Sequence, residues 1–223
     1  MSTLAQIRTR LQVMLMDTGA GIWDTTTLDE GIRRTLDVYS QALPLDVETV
    51  LTLPGDGWEI ALNSLTGLLG VVRVHWPYDT LLTPENQYSN KVKRWRFWWD
   101  DAQPVLELKT EANEMPETDD QLRLWYYKRH TIQDLDSAAV TTIPTKHETG
   151  IIIGAAANAA LSRAMDLVET AGTDMFQIVL LGTWARGKER EFDRWLKNVT
   201  TESVQSGPPF ENGWAIDKWD RVY

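Results

Sequence analysis

The hydrophobic period of the chain changes twice, and no other feature of the sequence constrains the fold as strongly. Near the N-terminus apolar residues recur every three or four positions, as at Leu4, Ile7 and Leu11, which indicates an amphipathic helix. Between about residues 46 and 130 apolar and polar residues alternate, which is typical of half-buried strands. After Pro144 the helical period returns. The sequence therefore predicts an α+β fold, in which helices from both chain ends form a bundle and the middle forms an inserted antiparallel β subdomain.

Capping signals place the helices. Three pairs have the spacing of a capping box, in which a hydroxyl and a carboxylate or amide satisfy the first N–H groups of a helix: Thr3 with Gln6, Thr27 with Glu30, and Thr145 with Glu148. Pro44 ends the second helix, and Thr173 or Asp174 begins the last. The resulting domain boundaries are N-terminal helices over residues 1–45, the β subdomain over 46–143, C-terminal helices over 144–201 and an extended tail over 202–223.

About six strands are predicted in the β subdomain. Alternating residues flank the turn Pro54-Gly55-Asp56-Gly57, which predicts a hairpin there. A second turn, over Asp100–Pro104, separates the strand Arg94–Trp99 from the strand Val105–Leu108.

The residues that usually carry catalysis are scarce. The chain has no cysteine and three histidines, His75, His130 and His147, and no two of these have the spacing of a metal-binding helix pair. The segment 182–188 matches the spacing of a phosphate-binding loop, but Glu189 stands where that motif needs Ser or Thr, and its flanks are predicted to be helical. We therefore expect no catalytic residues, no cofactor and no metal.

Charge and hydropathy restrict the kinds of partner that the protein is expected to bind. The net charge of −10 and the pI of about 4.8 are unlike those of a protein that grips nucleic acid over its whole surface. No uninterrupted run approaches the ~18 apolar residues of a membrane-spanning helix, so no membrane partner is expected.

Tryptophan is unusually frequent, with 11 in 223 residues. Trp95, Trp98 and Trp99 lie in one predicted strand in which aromatic residues are interleaved with lysine and arginine. The favoured interpretation is a strand whose aromatics pack on a core while its cations reach solvent. Single-strand nucleic-acid binding and a secondary protein interface remain open alternatives.

The tail beyond residue 201 has no hydrophobic period. Gly207, Pro208, Pro209 and Gly213 interrupt regular structure there. Its large apolar residues cannot form a core by themselves, so we expect them either to pack on their own domain or to anchor in a partner: Phe210, Trp214, Ile216, Trp219 and Tyr223.

The order of local landmarks resembles one family. The landmarks are Ile22-Trp23-Asp24 before the second helix, Val50-Leu51-Thr52-Leu53-Pro54, Leu124-Trp125-Tyr126-Tyr127-Lys128, Ile143-Pro144, and the alanine-rich helix 151–168. In this order they resemble the head-to-tail adaptor (connector or neck) proteins of tailed bacteriophages, in the type with a β insertion. The resemblance covers about residues 3 to 200.

This resemblance implies a structural virion protein of the phage neck, made in the host cytoplasm and without enzymatic activity. Such adaptors form a ring, commonly of twelve copies, under the portal protein. The ring extends the DNA channel, lets genomic DNA pass without specific binding, and supports the next tail or neck protein. The resemblance also implies that the C-terminal tail binds the portal.

Other functions remain open from the sequence alone. The nearest is a tail-completion or terminator protein. From different classes come a carbohydrate- or ligand-binding module that stacks sugars on Trp95, Trp98 and Trp99, and a hydrolase that uses the loop carboxylates at Asp100-Asp101 and Asp119-Asp120.

Overall fold

The computed structural model describes residues 1–17, 19, 21–111, 114–169 and 175–206, and in it the chain divides into two compact units. One unit is helical and combines residues 1–43 with the described residues from 131 to 206. The other comprises residues 44–130 and consists of antiparallel strands. The predicted α+β class, with helices from both chain ends and a β insertion, is confirmed.

Four α-helices build the helical unit: α1 over Leu4–Met14, α2 over Thr25–Ala42, α3 over Glu148–Glu169 and α4 over Met175–Ser206. The predicted capping box of α1 is present, because Gln6 N–H donates to Thr3 Oγ1 and Thr3 N–H donates to Gln6 Oε1 at 3.0 Å. The predicted cap of α2 is wrong. Asp24 caps this helix, with its Oδ1 2.5 Å from the N–H of Thr27, so α2 begins two residues before the predicted start.

The core of the helical unit centres on α3, whose alanines are almost fully buried. Small residues let its neighbours come close: a Cβ atom added to Gly31 of α2 would lie 2.8 Å from the carbonyl oxygen of Ala155. By length and hydropathy the span 145–168 could also cross a membrane, and 56% of its most apolar window is buried inside the unit. Burial of that kind is what a core helix requires.

The segment 131–147 belongs to the helical unit, although the predicted boundary assigned residues up to 143 to the β subdomain. Ile132, Leu135 and Ile143 are buried in the helical core, and Thr141 Oγ1 donates to the carbonyl of Ser2 at 2.8 Å. A 3₁₀ turn over Thr145–His147 precedes α3. The N-terminal segment therefore holds this connection in place.

The predicted capping pair Thr145–Glu148 does not form, because Glu148 is engaged elsewhere. Its buried carboxylate accepts hydrogen bonds from the N–H and hydroxyl of Ser2, both at 2.8 Å, and from Arg10 Nη1 at 2.8 Å. Glu148 thus ties the start of α3 to the N-terminus.

The β unit has two three-stranded antiparallel sheets. Their six strands are β1 over Leu45–Thr52, β2 over Glu59–Ala61, β3 over Leu68–Tyr78, β4 over Val92–Asp100, β5 over Gln103–Thr110 and β6 over Gln121–Lys128. The strand orders are β1-β6-β3 and β2-β5-β4. Both sheets contribute to one buried core that includes Leu53, Leu106, Leu108, Leu122 and Leu124.

The first predicted hairpin is wrong and the second is confirmed. β1 pairs with β6 and β2 pairs with β5, so the strands on either side of Pro54–Gly57 lie in different sheets. The chain after β1 follows the approach to β6 instead of turning back, since Leu53 N–H donates to the carbonyl of Asp120 at 2.8 Å. β4 and β5 form the second hairpin, and positive φ angles at Asp101 and Ala102 make its tight turn.

Candidate interaction surfaces

The predicted site residues of the tail, Phe210, Trp214, Ile216, Trp219 and Tyr223, lie outside the residues that the structure describes. The predicted secondary interface lies on β4, an edge strand of its sheet. Its three tryptophans therefore lie on a strand that, among the described residues, has a β partner on one side only.

The three tryptophans do not share a face. Trp95 and Trp99 stand opposite Leu108 and Pro104 of β5, on the face that carries the buried residues. Trp98 is on the other face, where the guanidinium of Arg96 lies 5.4 Å from its ring centroid. No ligand can therefore stack on all three rings from one side of the sheet.

The aromatics of the core face are only partly covered. Phe97 packs on the core of the β unit, while Trp95 is 37% exposed and Trp99 is 52% exposed. The favoured interpretation, with aromatics packed inward, thus describes Phe97 but neither half-exposed tryptophan. Trp99 also lines an open pocket of about 510 Å³, together with Leu65, Leu68, Pro104 and Arg129.

A cationic and aromatic cluster covers the outer face of the other sheet, and sequence reasoning missed it. The ring of Trp125 on β6 lies between two guanidinium groups, at 4.9 Å from Arg73 and 4.8 Å from Arg123. Glu48 of β1 accepts from Trp125 Nε1 at 2.9 Å and from Arg123 Nε at 2.7 Å. Cation–π contacts and the shared carboxylate hold these side chains together on one face of the sheet. The signal was hidden because it depends on which strands pair.

Two of the three histidines make structural contacts. His147 Nδ1 lies 2.6 Å from the hydroxyl of Tyr39, and both rings pack against Trp195 of α4. Burial raises the pKa of Tyr39 to about 12, so the phenol stays protonated at neutral pH. His75 Nε2 lies 2.9 Å from the carbonyl oxygen of Tyr88. Within the described ranges, no three histidine and carboxylate side chains are grouped as a metal site would need.

The segment that resembles a phosphate-binding loop, residues 182–188, lies inside the continuous helix α4. This confirms the prediction that helix flanks it. A helical backbone turns its N–H groups along its own axis, so they cannot converge on a phosphate.

One end of the helical unit is an apolar surface that sequence reasoning also missed. It consists of the end of α3 and the start of α4, and its large exposed residues are Met165, Val168, Met175, Phe176, Val179, Leu180 and Trp184. Arg163 of α3 contributes to the electrostatic environment of Asp24, so the start of α2 lies at this end too. Phe176, Val179, Leu180 and Trp184 recur at helical spacing in the sequence, but only the packing of α3 on α4 reveals that they are exposed.

Asp17 shapes the loop that leads into α2. Its carboxylate accepts hydrogen bonds from the N–H groups of Gly21, Ile22 and Trp23 at 2.9 to 3.1 Å. Desolvation raises the pKa of Asp17, but these backbone hydrogen bonds outweigh it and the pKa falls below its ordinary value. The buried side chain of Asp17, which lies outside the landmark, therefore holds Ile22-Trp23-Asp24 in place.

Comparisons with known proteins show limited similarity. No family model matches the chain, and no curated protein matches it. A solved structure described as the neck of an empty GTA particle, computed with C6 symmetry, aligns with 68% of this chain and 74% of its own chain at 15% identity and a TM-score of 0.31. A TM-score of this size does not carry an argument about function.

Proposed function

We propose that the protein is a head-to-tail adaptor of a tailed bacteriophage, a structural component of the virion neck. In this role several copies form a ring under the portal, commonly twelve. The ring continues the DNA channel and supports the next neck or tail protein. The chain performs no catalysis in this role.

The observation that supports the proposal is how the landmarks are arranged along the fold. The loop Ile22-Trp23-Asp24 leads into α2, Val50–Pro54 ends β1, and Leu124–Lys128 forms most of β6. The alanine-rich landmark is the core helix α3. These four landmarks therefore each have a defined place in a fold that combines a helical unit from both chain ends with an inserted β unit.

The surfaces support an assembly component over a ligand-binding module. A sugar-stacking platform would need Trp95, Trp98 and Trp99 on one face, and they lie on two. The exposed apolar end of the helical unit instead carries Met, Phe and Trp side chains, which are typical of protein–protein interfaces. The tail supplies further aromatic residues suited to anchoring in grooves of the portal.

Binding to two candidate neighbours tests the proposal. Purified full-length chain is titrated against the portal protein and, separately, against the tail-tube protein of the same phage, with co-sedimentation as the readout. We expect saturable binding to the portal. Binding to the tail tube alone would instead assign the chain as a terminator, and binding to neither would overturn a neck function.

A further inference from the structure

The start of α4 carries no charge and is largely apolar, and yet it is exposed. Residues 175–185 include no charged side chain, and their polar residues are Gln177 and Thr183. Met175, Phe176, Val179 and Leu180 are each more than half exposed, at 68%, 65%, 56% and 53%. Large exposed apolar patches mark interaction surfaces, so we expect a partner to cover this end of the helical unit.

Two features lie on different sides of this helical segment. Phe176, Leu180 and Trp184 recur every four residues and form one ridge, since successive residues rotate by about 100° around the helix. On the side towards α3 a groove of about 340 Å³ runs between the two helices, lined by Leu161, Met165, Val168, Ile178, Val179 and Gly182. The groove is open at Gly182, where an added Cβ would meet no atom within 4 Å.

We infer that the ridge of one copy, Phe176, Leu180 and Trp184, packs into the α3–α4 groove of a neighbouring copy. This inference rests on the proposed ring and names its contact surface. Ridge and groove have matching chemistry, because the ridge is apolar and the groove is lined by apolar residues apart from Thr183 and Arg186.

Charge favours a second copy as the occupant. Two copies that each carry −10 repel at most orientations, whereas residues 175–185 include no charged side chain and can make contact without bringing like charges together. The ridge exposes three large apolar side chains, and the groove of the neighbouring copy exposes Met165, Val168 and Val179, so one contact covers large apolar side chains from both copies.

The arrangement also disfavours a closed dimer. Because ridge and groove face different directions, a contact between two copies leaves one free ridge and one free groove. Such a heterologous contact adds further copies, and it gives a ring when the rotation between copies closes. A face-to-face dimer would instead bring the same residues of both copies together.

The chain has no cysteine, so engineered cysteines test this contact without background. The double variant Leu180→Cys with Met165→Cys places one thiol on the ridge and one on the groove wall. After treatment with a short bismaleimide, we expect a ladder of dimers, trimers and larger species. The matched control pair, Leu180→Cys with Val140→Cys, uses an exposed valine outside the apolar end and should give no ladder.

Several outcomes would overturn the inference. Equal cross-linking by the single variant Leu180→Cys would show a face-to-face contact. A ladder no stronger than that of the control pair would show that these surfaces do not meet. A Leu180→Asp chain that keeps its circular dichroism and still self-associates would also contradict it, since we expect at least a tenfold loss. Flotation with phosphatidylcholine vesicles, abolished by Leu180→Asp, would assign this end to a membrane.

The same variants separate this inference from the proposed function. Each cross-linking reaction is run with and without portal protein, and portal docking is measured in parallel. If the chain docks but the cysteine pair gives no ladder in either condition, the contact surface is wrong and the adaptor role stands. A ladder without portal docking supports the contact surface and contradicts the adaptor role.

Discussion

The indole of Trp195 lies so close to Gly150 that a Cβ atom on this glycine would come within 2.3 Å of the ring. α3 and α4 can therefore pack together only because residue 150 has no side chain. Trp195 in turn stacks on Phe192 and Tyr39, so the contact joins three helices of the helical unit.

This contact predicts that alanine substitutions at two glycines change the free energy of unfolding in opposite directions. Gly150→Ala should lower the free energy of unfolding by about 1–3 kcal/mol, the usual cost of overpacking a core. Gly187→Ala is the matched control in α4, where an added Cβ meets open space, and it should stabilise by about 0.5–1 kcal/mol because glycine weakens helices. Chemical denaturation of both variants checks this, and equal effects would refute the close packing.

Glu148 makes stability depend on pH. Burial acts to raise the pKa of Glu148, but hydrogen bonds from Ser2 and the charge of Arg10 lower it below its ordinary value of 4.5. The folded state thus binds this proton less readily than the unfolded state. Its contribution is complete above about pH 4.5 and is lost as pH falls through the lowered pKa.

Glu148→Gln should therefore be less stable than the wild type at neutral pH and lose less stability on acidification. Denaturation midpoints between neutral pH and pH 3 provide the measurement. Glu189→Gln removes the same charge from an exposed position on α4 and serves as the control. A Glu148→Gln profile parallel to the wild type would show that this carboxylate does not couple folding to pH.

The tail is expected to contribute to portal docking and not to stability. α4 continues to Ser206, five residues beyond the predicted end of the helix, so the informative truncation ends at Ser206. Loss of Phe210, Trp214, Trp219 and Tyr223 should weaken docking at least about a hundredfold, since a single aromatic anchor can contribute ~2 kcal/mol. A truncated chain that melts far lower and docks normally would place these residues in their own core.

Duplex DNA should not adhere to the protein. The chain carries −10, and a duplex has one negative charge per ~1.7 Å of its axis, so counterion release offers no gain. We expect the channel-facing surface of the ring to be mainly acidic or neutral and formed by the helical unit. An electrophoretic mobility shift at low salt tests adhesion. Salt-sensitive binding, or a lumen lined chiefly by lysine and arginine, would contradict this expectation.

Local signals in the sequence were sufficient to predict the helices and strands, but not to predict which strands pair. The capping box at Thr3 and the turn after Asp100 depend on neighbouring residues, and both formed as predicted. The pairing of Leu45 with Lys128 depends on a contact between distant parts of the chain, which alternation alone cannot specify. The hairpin prediction at Pro54 failed for this reason.

The candidate surfaces were harder to predict than the fold. The cluster around Trp125 requires three strands from separate regions, and Glu148 acts through Ser2 at the far end of the chain. At the start of α4, helical periodicity indicates an apolar stripe but does not show whether the same chain or another one covers it. Only the packing of the helical unit shows this, because it determines how much of each side chain is exposed.

Electron microscopy of the full-length chain mixed with portal protein tests the adaptor role most directly. We expect a ring of copies coaxial with the portal, with the start of α4 buried between neighbouring copies. Particles in which the portal carries no added ring, at protein concentrations where the chain is folded and in excess, would contradict it.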